Sequence, residues 1–171
     1  MNLIISVLKK DDLCGKKIIE TIQKNVNDVE IIYEEDMHIK GCIGCNRCWL
    51  VTPGVCTVKD DYETLLIKFL QSKQVIFITD LKLGFVSYQL KNIIDRLLPL
   101  ATMHLRFKNG QMRHYPRYKK QYKMGLLYKG NGKQEFLEKW LERVMINLEG
   151  TSIGTFHIEN EEEILNALIN D

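Results

Sequence analysis

Short apolar runs rich in β-branched residues alternate along this chain with longer segments of helical period, and that rhythm restricts the fold more than any other feature. Asn2 to Leu8 (NLIISVL) is a continuous apolar run of the kind found in strands buried on both faces. Leu13 to Val26 then sets Leu13, Ile18, Ile19, Ile22 and Val26 close to helical spacing. Val29 to Glu34 (VEIIYE) reads as a second strand, and Gln74 to Thr79 (QVIFIT) as a third. Between them, Tyr62, Leu65, Leu66, Phe69 and Leu70 form an apolar stripe that Asp60 or Asp61 can cap. Val86 to Leu105 is helical by pattern, with Ser87 as N-cap and Pro99 bending or ending it. Tyr122 to Tyr128 is a fourth strand and Gln134 to Leu148 a long amphipathic helix. Thr151 to Ile158 is a fifth strand and Glu161 to Ile169 a closing helix, whose acidic first turn suits its macrodipole.

Strands alternating with helices in this way imply a parallel sheet covered on both faces, because right-handed crossovers carry successive helices to opposite sides. In such doubly wound α/β sheets a ligand sits at the C-terminal ends of the strands, near the point where strand order reverses. The segments expected to line that crevice are Ser6 to Gly15, Asp80 to Ser87 and Lys129 to Gly132.

Four of the five cysteines fall in one loop, residues 41–61, with the spacing C-x2-C-x2-C-x7-C at Cys42, Cys45, Cys48 and Cys56. Gly41 and Gly44 let the backbone fold tightly there, so the thiolates can converge. Three chemistries suit the pattern: an iron–sulfur cluster, a set of redox-active thiols without metal, and a tetrahedral zinc ion.

Length bounds what the loop is attached to: 171 residues with 45% hydrophobic content suffice for one packed domain spanning 1–171. The formal charge of +2, from 24 basic and 22 acidic side chains, gives no field that would steer the protein to nucleic acid or a membrane surface. No apolar run approaches the ~20 residues that span a bilayer. The short apolar run at the N-terminus precedes its lysines, the reverse of a signal peptide, so a cytoplasmic location is expected. In a reducing compartment clustered cysteines serve metals or redox chemistry more often than structural disulfides. Residues 106–121 (RFKNGQMRHYPRYKKQ) are basic and aromatic and read as an irregular excursion over the surface.

Four stretches carry a family resemblance: G-C-I-G-C-N-R-C-W at Gly41 to Trp49, P-G-V-C-x3-D-D at Pro53 to Asp61, L-G-F-V-S-x3-K-x3-D-R at Leu83 to Arg96, and G-Q-M-R-H-Y-P-R-Y at Gly110 to Tyr118. In order and spacing they resemble the flavodoxin-like NAD(P)H-dependent FMN reductases, in the branch related to iron–sulfur flavoproteins. The resemblance implies a flavodoxin-like three-layer sandwich with strand order 2-1-3-4-5. It also implies bound FMN, electrons taken from NAD(P)H, a small electron acceptor (flavin, quinone, disulfide or cluster), and a homodimer or higher homo-oligomer. Cofactor contacts then fall on Ser6, Lys9, Asp80, Leu81, Lys82, Leu83, Gly84, Phe85, Ser87, Gly130 and Asn131, and a [4Fe–4S] cluster or nothing on the four cysteines. Asp95 and Arg96 are expected to fix the neighbouring loop, and His114 with Arg113, Arg117 and Tyr118 to close over the site or meet a nicotinamide phosphate.

The chain departs from the family after the first strand. Relatives carry a Gly-Ser-x-Arg stretch with hydroxyl residues that cradles the FMN phosphate at a helix N-terminus. Here Ser6-Val7-Leu8-Lys9-Lys10-Asp11-Asp12 keeps one cation in register and adds two carboxylates. After the third strand, Asp80 and Lys82 replace the usual proline and aromatic residue. The departures motivate an alternative: a flavodoxin-like module with a degenerate phosphate site that binds a metal, a cluster or a partner.

Overall fold

The computed structural model describes residues 1–169. Among them, five parallel strands form the central sheet in the order β2-β1-β3-β7-β8, where β1 is Asn2–Ser6, β2 Val29–Tyr33, β3 Gln74–Lys82, β7 Lys123–Lys129 and β8 Thr151–His157. Numbering the parallel strands alone gives 2-1-3-4-5, the flavodoxin-like order. Register runs in step, with Asn2 opposite both Val29 and Gln74, and Val75 opposite Met124.

Strand alternation divides the core in two. Leu3 and Ile5 of β1, Val75 and Phe77 of β3, and Met124 and Leu126 of β7 face one layer of helices. Ile4, Ile76, Ile78 and Leu127, one residue out of step, face the other. The first layer comprises α3 (Tyr62–Gln71), α4 (Tyr88–Asp95) and α5 (Gln134–Leu148). The second comprises α1 (Leu13–Asn25) and α6 (Glu161–Ile169). On α1 Ile18, Ile19 and Ile22 are buried as expected while Leu13 stays exposed, and α5 buries Leu137, Leu141 and Met145. A four-residue helix, α2 (Arg47–Leu50), lies within the cysteine loop.

Two expectations fail, for local reasons. The helix expected over Val86 to Leu105 stops at Asp95, followed by a tight turn at Leu98–Leu100 that holds Pro99. Beyond it the period switches to 2, and Ala101–Lys108 (β5) pairs antiparallel with Gln111–Pro116 (β6). The supposedly irregular 106–121 segment is therefore largely one arm and the turn of a hairpin. Asn109 and Gly110 turn it with φ of 53° and 74°, the double left-handed geometry that an Asn-Gly pair favours. That dipeptide was the hairpin signal, masked by the basic composition around it. A second hairpin forms where β4 (Phe85–Val86) folds back on the end of β3. No helix among the described residues is long and apolar enough to cross a membrane.

Candidate functional site

The three expected turns do meet. A crevice of about 590 Å³ at the C-terminal ends of the strands is lined by Val7 to Lys9, Asp11 and Asp12 after β1, by Asp80 to Lys82 at the end of β3, and by Lys129 and Gly130 after β7. That volume suits a ligand of cofactor size. Tyr88 and Gln89, in the first turn of α4, complete the wall. Sequence reasoning missed both, since neither stands out until α4 is set against β3.

The remaining expected cofactor residues sit around this crevice. Ser6 is fully buried beneath it, with its hydroxyl turned to the Leu8 carbonyl. Ser87 is buried too; its amide donates to Thr79 Oγ1 at 3.3 Å and its hydroxyl lies 3.1 Å from the same oxygen, fastening the β4 return to β3. Leu83 and Gly84 form the tip of that hairpin at φ 53° and 76°. Leu83 is fully exposed, while Phe85 packs on Trp140 and Phe136 of α5. Asn131 is exposed in the turn after Gly130. Gly132 approaches so closely that a Cβ there would overlap Leu81 Cδ1, fixing the spacing of the two turns.

Two of the three lysines that line the crevice are paired within it. Lys82 Nζ lies 2.7 Å from Asp80 and Lys129 Nζ 2.6 Å from Asp12. Asp12 also caps α1, its Oδ1 accepting the Gly15 N–H at 2.9 Å. Burial works against the Asp12 carboxylate, but the Lys129 and Gly15 contacts prevail and hold its pKa below the ordinary carboxylate range. The FMN implied by the resemblance needs a slot for its ring and a cradle for its phosphate. The crevice offers the first. At the second position, the N-terminus of α1, the chain's own carboxylate already takes the anion's place, so the residues do not fit a phosphate.

The cysteine loop is a separate centre. Cys42, Cys45, Cys48 and Cys56 line one small cavity with Ile43, Val58 and Leu98 among its walls, and it shares no lining residue with the crevice. Cys48 is buried, Cys56 half-buried and the other two exposed. Burial pushes the Cys48 thiol up, with the three neighbouring sulfurs adding to it. Cys45 is drawn down, chiefly by the Arg47 backbone N–H and then by the Thr57 hydroxyl.

Arg96 holds the loop from below. Its side chain and that of Asp60 are 1% and 0% exposed, with Nη1 2.5 Å from Asp60 Oδ2. Arg96 also donates to the Lys40 and Val58 carbonyls at 3.0 and 3.3 Å, on either side of the cysteines, and lies 4.2 Å from the centre of the Tyr62 ring. Asp60 in turn accepts the Lys40 and Tyr62 N–H groups. Burial alone disfavours the guanidinium charge, but Asp60 and the neighbouring Cys56 keep it on. Arg96 Nε is buried without a hydrogen-bond acceptor. Arg96 thus fixes the loop as expected, while Asp95 instead pairs with Lys91 along its own helix.

Among the described residues no three His, Cys, Asp or Glu side chains are arranged to hold a single metal ion. Zinc ligands must converge on one point, whereas the thiolates of a cluster each meet a different iron and stand farther apart. The cavity encloses about 20 Å³, room for about one water. The donor set suits a cluster: four sulfurs, an N–H to one of them and a buried cation beside another.

A third hollow, about 720 Å³, opens between α4, α5 and the β5–β6 hairpin and touches the cysteine loop at Cys42. The His114 ring packs on Trp49 there, at 4.6 Å between centroids, with Nδ1 2.7 Å from the Thr102 carbonyl. His114 therefore belongs to the sulfur side of the molecule. Arg117 is spent on the carbonyls of Pro99 and Ala101.

Sheet order, the strand-end crevice and the layered helices define a flavodoxin-like α/β protein. In sequence the chain is similar to an iron–sulfur flavoprotein of Archaeoglobus fulgidus, 33% identical over 92 residues that cover 54% of this chain and 44% of that one. An iron–sulfur flavoprotein of Methanocaldococcus jannaschii is 32% identical over 99 residues, 57% of this chain and 50% of the relative. The matched region thus spans about half the length of these curated relatives. In structure the chain is similar to general stress protein 14 of Treponema denticola, solved in complex with FMN. Its TM-score is 0.58 at 12% identity, covering 99% of this chain and 97% of that one. No protein-family model matches the chain.

Proposed function

We propose that this chain is an oxidoreductase of the iron–sulfur flavoprotein kind, in which a flavin ring occupies the strand-end crevice and Cys42, Cys45, Cys48 and Cys56 hold a [4Fe–4S] cluster. Electrons come from NAD(P)H and leave to a small acceptor such as a quinone, a flavin or a disulfide. One observation carries the reading: four cysteines from a 15-residue stretch line one cavity, anchored on a buried arginine that lies beside Cys56. The similarity to iron–sulfur flavoproteins supports it independently. When bound, a flavin supplies hydride acceptance and one-electron release, and a cluster supplies one-electron storage.

The chain's own residues supply placement. Leu81 and Lys82 form the β3 wall of the crevice, Tyr88 offers an exposed ring at its mouth, and the Ser87–Thr79 contact keeps the β3–β4 hairpin from drifting. At the cysteines, Arg96 offsets negative charge gathered on sulfur, and the apolar Ile43, Val58 and Leu98 hold water back. Leu105, Phe107 and Met112 expose apolar surface on the β5–β6 hairpin, which supports association with a second copy.

The test is iron and acid-labile sulfide analysis with an absorbance spectrum of anaerobically purified protein. The expected result is roughly four irons and four sulfides per chain, lost in Cys48→Ser and Cys56→Ser. Absence of iron and sulfide from fresh anaerobic protein sinks the cluster reading. A second reading, a cluster- or partner-binding module without flavin, draws support from the self-capped α1 terminus at Asp12. In that case the same spectrum shows a cluster band, and added flavin produces no saturable change.

A further inference from the structure

We infer that the strand-end crevice selects flavins that lack the 5′-phosphate, and that Asp12 sets the selection. The inference rests on the flavin reading above and concerns only which flavin is taken. A phosphate dianion arriving at α1 would have to displace the Asp12 carboxylate from the Gly15 N–H and break its ion pair with Lys129. It would then face both Asp12 and Asp11 across the same wall. In exchange the loop offers the single exposed cation Lys9, because the Ser6 hydroxyl is turned to the Leu8 carbonyl and Lys10 is paired with Asp36 at 2.6 Å.

An unphosphorylated ribityl chain meets the opposite situation. Its hydroxyl groups are donors as well as acceptors, and carboxylates are acceptors only, so Asp11 and Asp12 complement a polyol and repel a phosphate. Lys129 is held by Asp12, so the wall cation left to meet an incoming anion is the exposed Lys9, set against the two carboxylates Asp11 and Asp12. The ring half of the site is untouched by this exchange, since the β3 wall, Tyr88 and Gly130 line the rest of the crevice.

Calorimetric titration of the full chain with riboflavin and with FMN, at one salt concentration, reads the selection directly. Wild type is expected to bind riboflavin more tightly than FMN. Asp12→Ser keeps a hydroxyl cap on α1 and frees Lys129, and should move the FMN-to-riboflavin affinity ratio toward FMN by about tenfold, the worth of one charge-assisted hydrogen bond. Lys129→Met leaves the carboxylate unpaired and should move the ratio the other way, which keeps the test alive if Asp12→Ser folds poorly. Equal or tighter binding of FMN by wild type, or a ratio unchanged in the variants that fold, overturns the inference while leaving the flavin reading intact. Failure of wild type to bind either flavin overturns both.

Discussion

Replacing Arg96 by Met should loosen the cysteine loop, with a stability deficit that shrinks as pH falls and does so at higher pH than for an exposed salt bridge. In the native protein Arg96 and Asp60 are 1% and 0% exposed, so the substitution leaves a carboxylate in the interior without its counter-ion. Breaking such a pair costs about 3 to 5 kcal/mol, and the lost contact with the Tyr62 ring adds up to about 2. The Lys40 and Tyr62 N–H groups remain on Asp60 and hold the total near about 4 kcal/mol. For a domain of this size that is roughly 8 to 16 °C in Tm.

The sign with pH follows from Asp60. With Arg96 in place its pKa is held below the ordinary carboxylate range. Its stabilisation is therefore complete above about pH 4 and is lost as pH falls through the depressed native value. In Arg96→Met, burial without a guanidinium raises the Asp60 pKa, and protonation relieves the penalty. Urea unfolding of both proteins at pH 7.5 and pH 5, under anaerobic reducing conditions, should show a deficit that shrinks at the lower pH. A deficit under about 1 kcal/mol, or one equal at the two pH values, would refute the view that Arg96 and Asp60 form the buried anchor of the loop.

Two further perturbations probe the scaffold. Gly150→Ala should destabilise by about 1 to 3 kcal/mol, because a Cβ there would overlap the Tyr122 carbonyl oxygen and Met145 Cε; a melting temperature within about 1 °C of wild type would contradict this packing. Lys120→Met should cost about 2 kcal/mol in urea unfolding, since Lys120 Nζ donates to the Leu70 and Ser72 carbonyls at the end of α3 and burial already lowers its pKa; a neutral result would mean that water satisfies those carbonyls equally well.

Much of the molecule was legible before any tertiary information. A strand buried on both faces must be apolar at successive positions, and a helix lying on it must repeat every three to four residues, so β1, β3, β7 and α5 announce themselves. The cysteine spacing is equally local, because a short loop with glycines at Gly41 and Gly44 can only bring its own sulfurs near one another. The β5–β6 hairpin was legible in Asn109-Gly110 and was obscured by the charge on its strands.

Which side chains meet across the sheet was decided by tertiary structure alone. Asp12 and Lys129 are 117 positions apart, Arg96 and Asp60 36, and Trp49 touches His114 across the hairpin. Their encounters depend on strand order and on the face to which each crossover turns, and no local period encodes either. The internal capping of α1 is of this kind: the sequence shows Asp12 before the helix, but only the parallel placement of β7 two strands from β1 brings Lys129 to neutralise it.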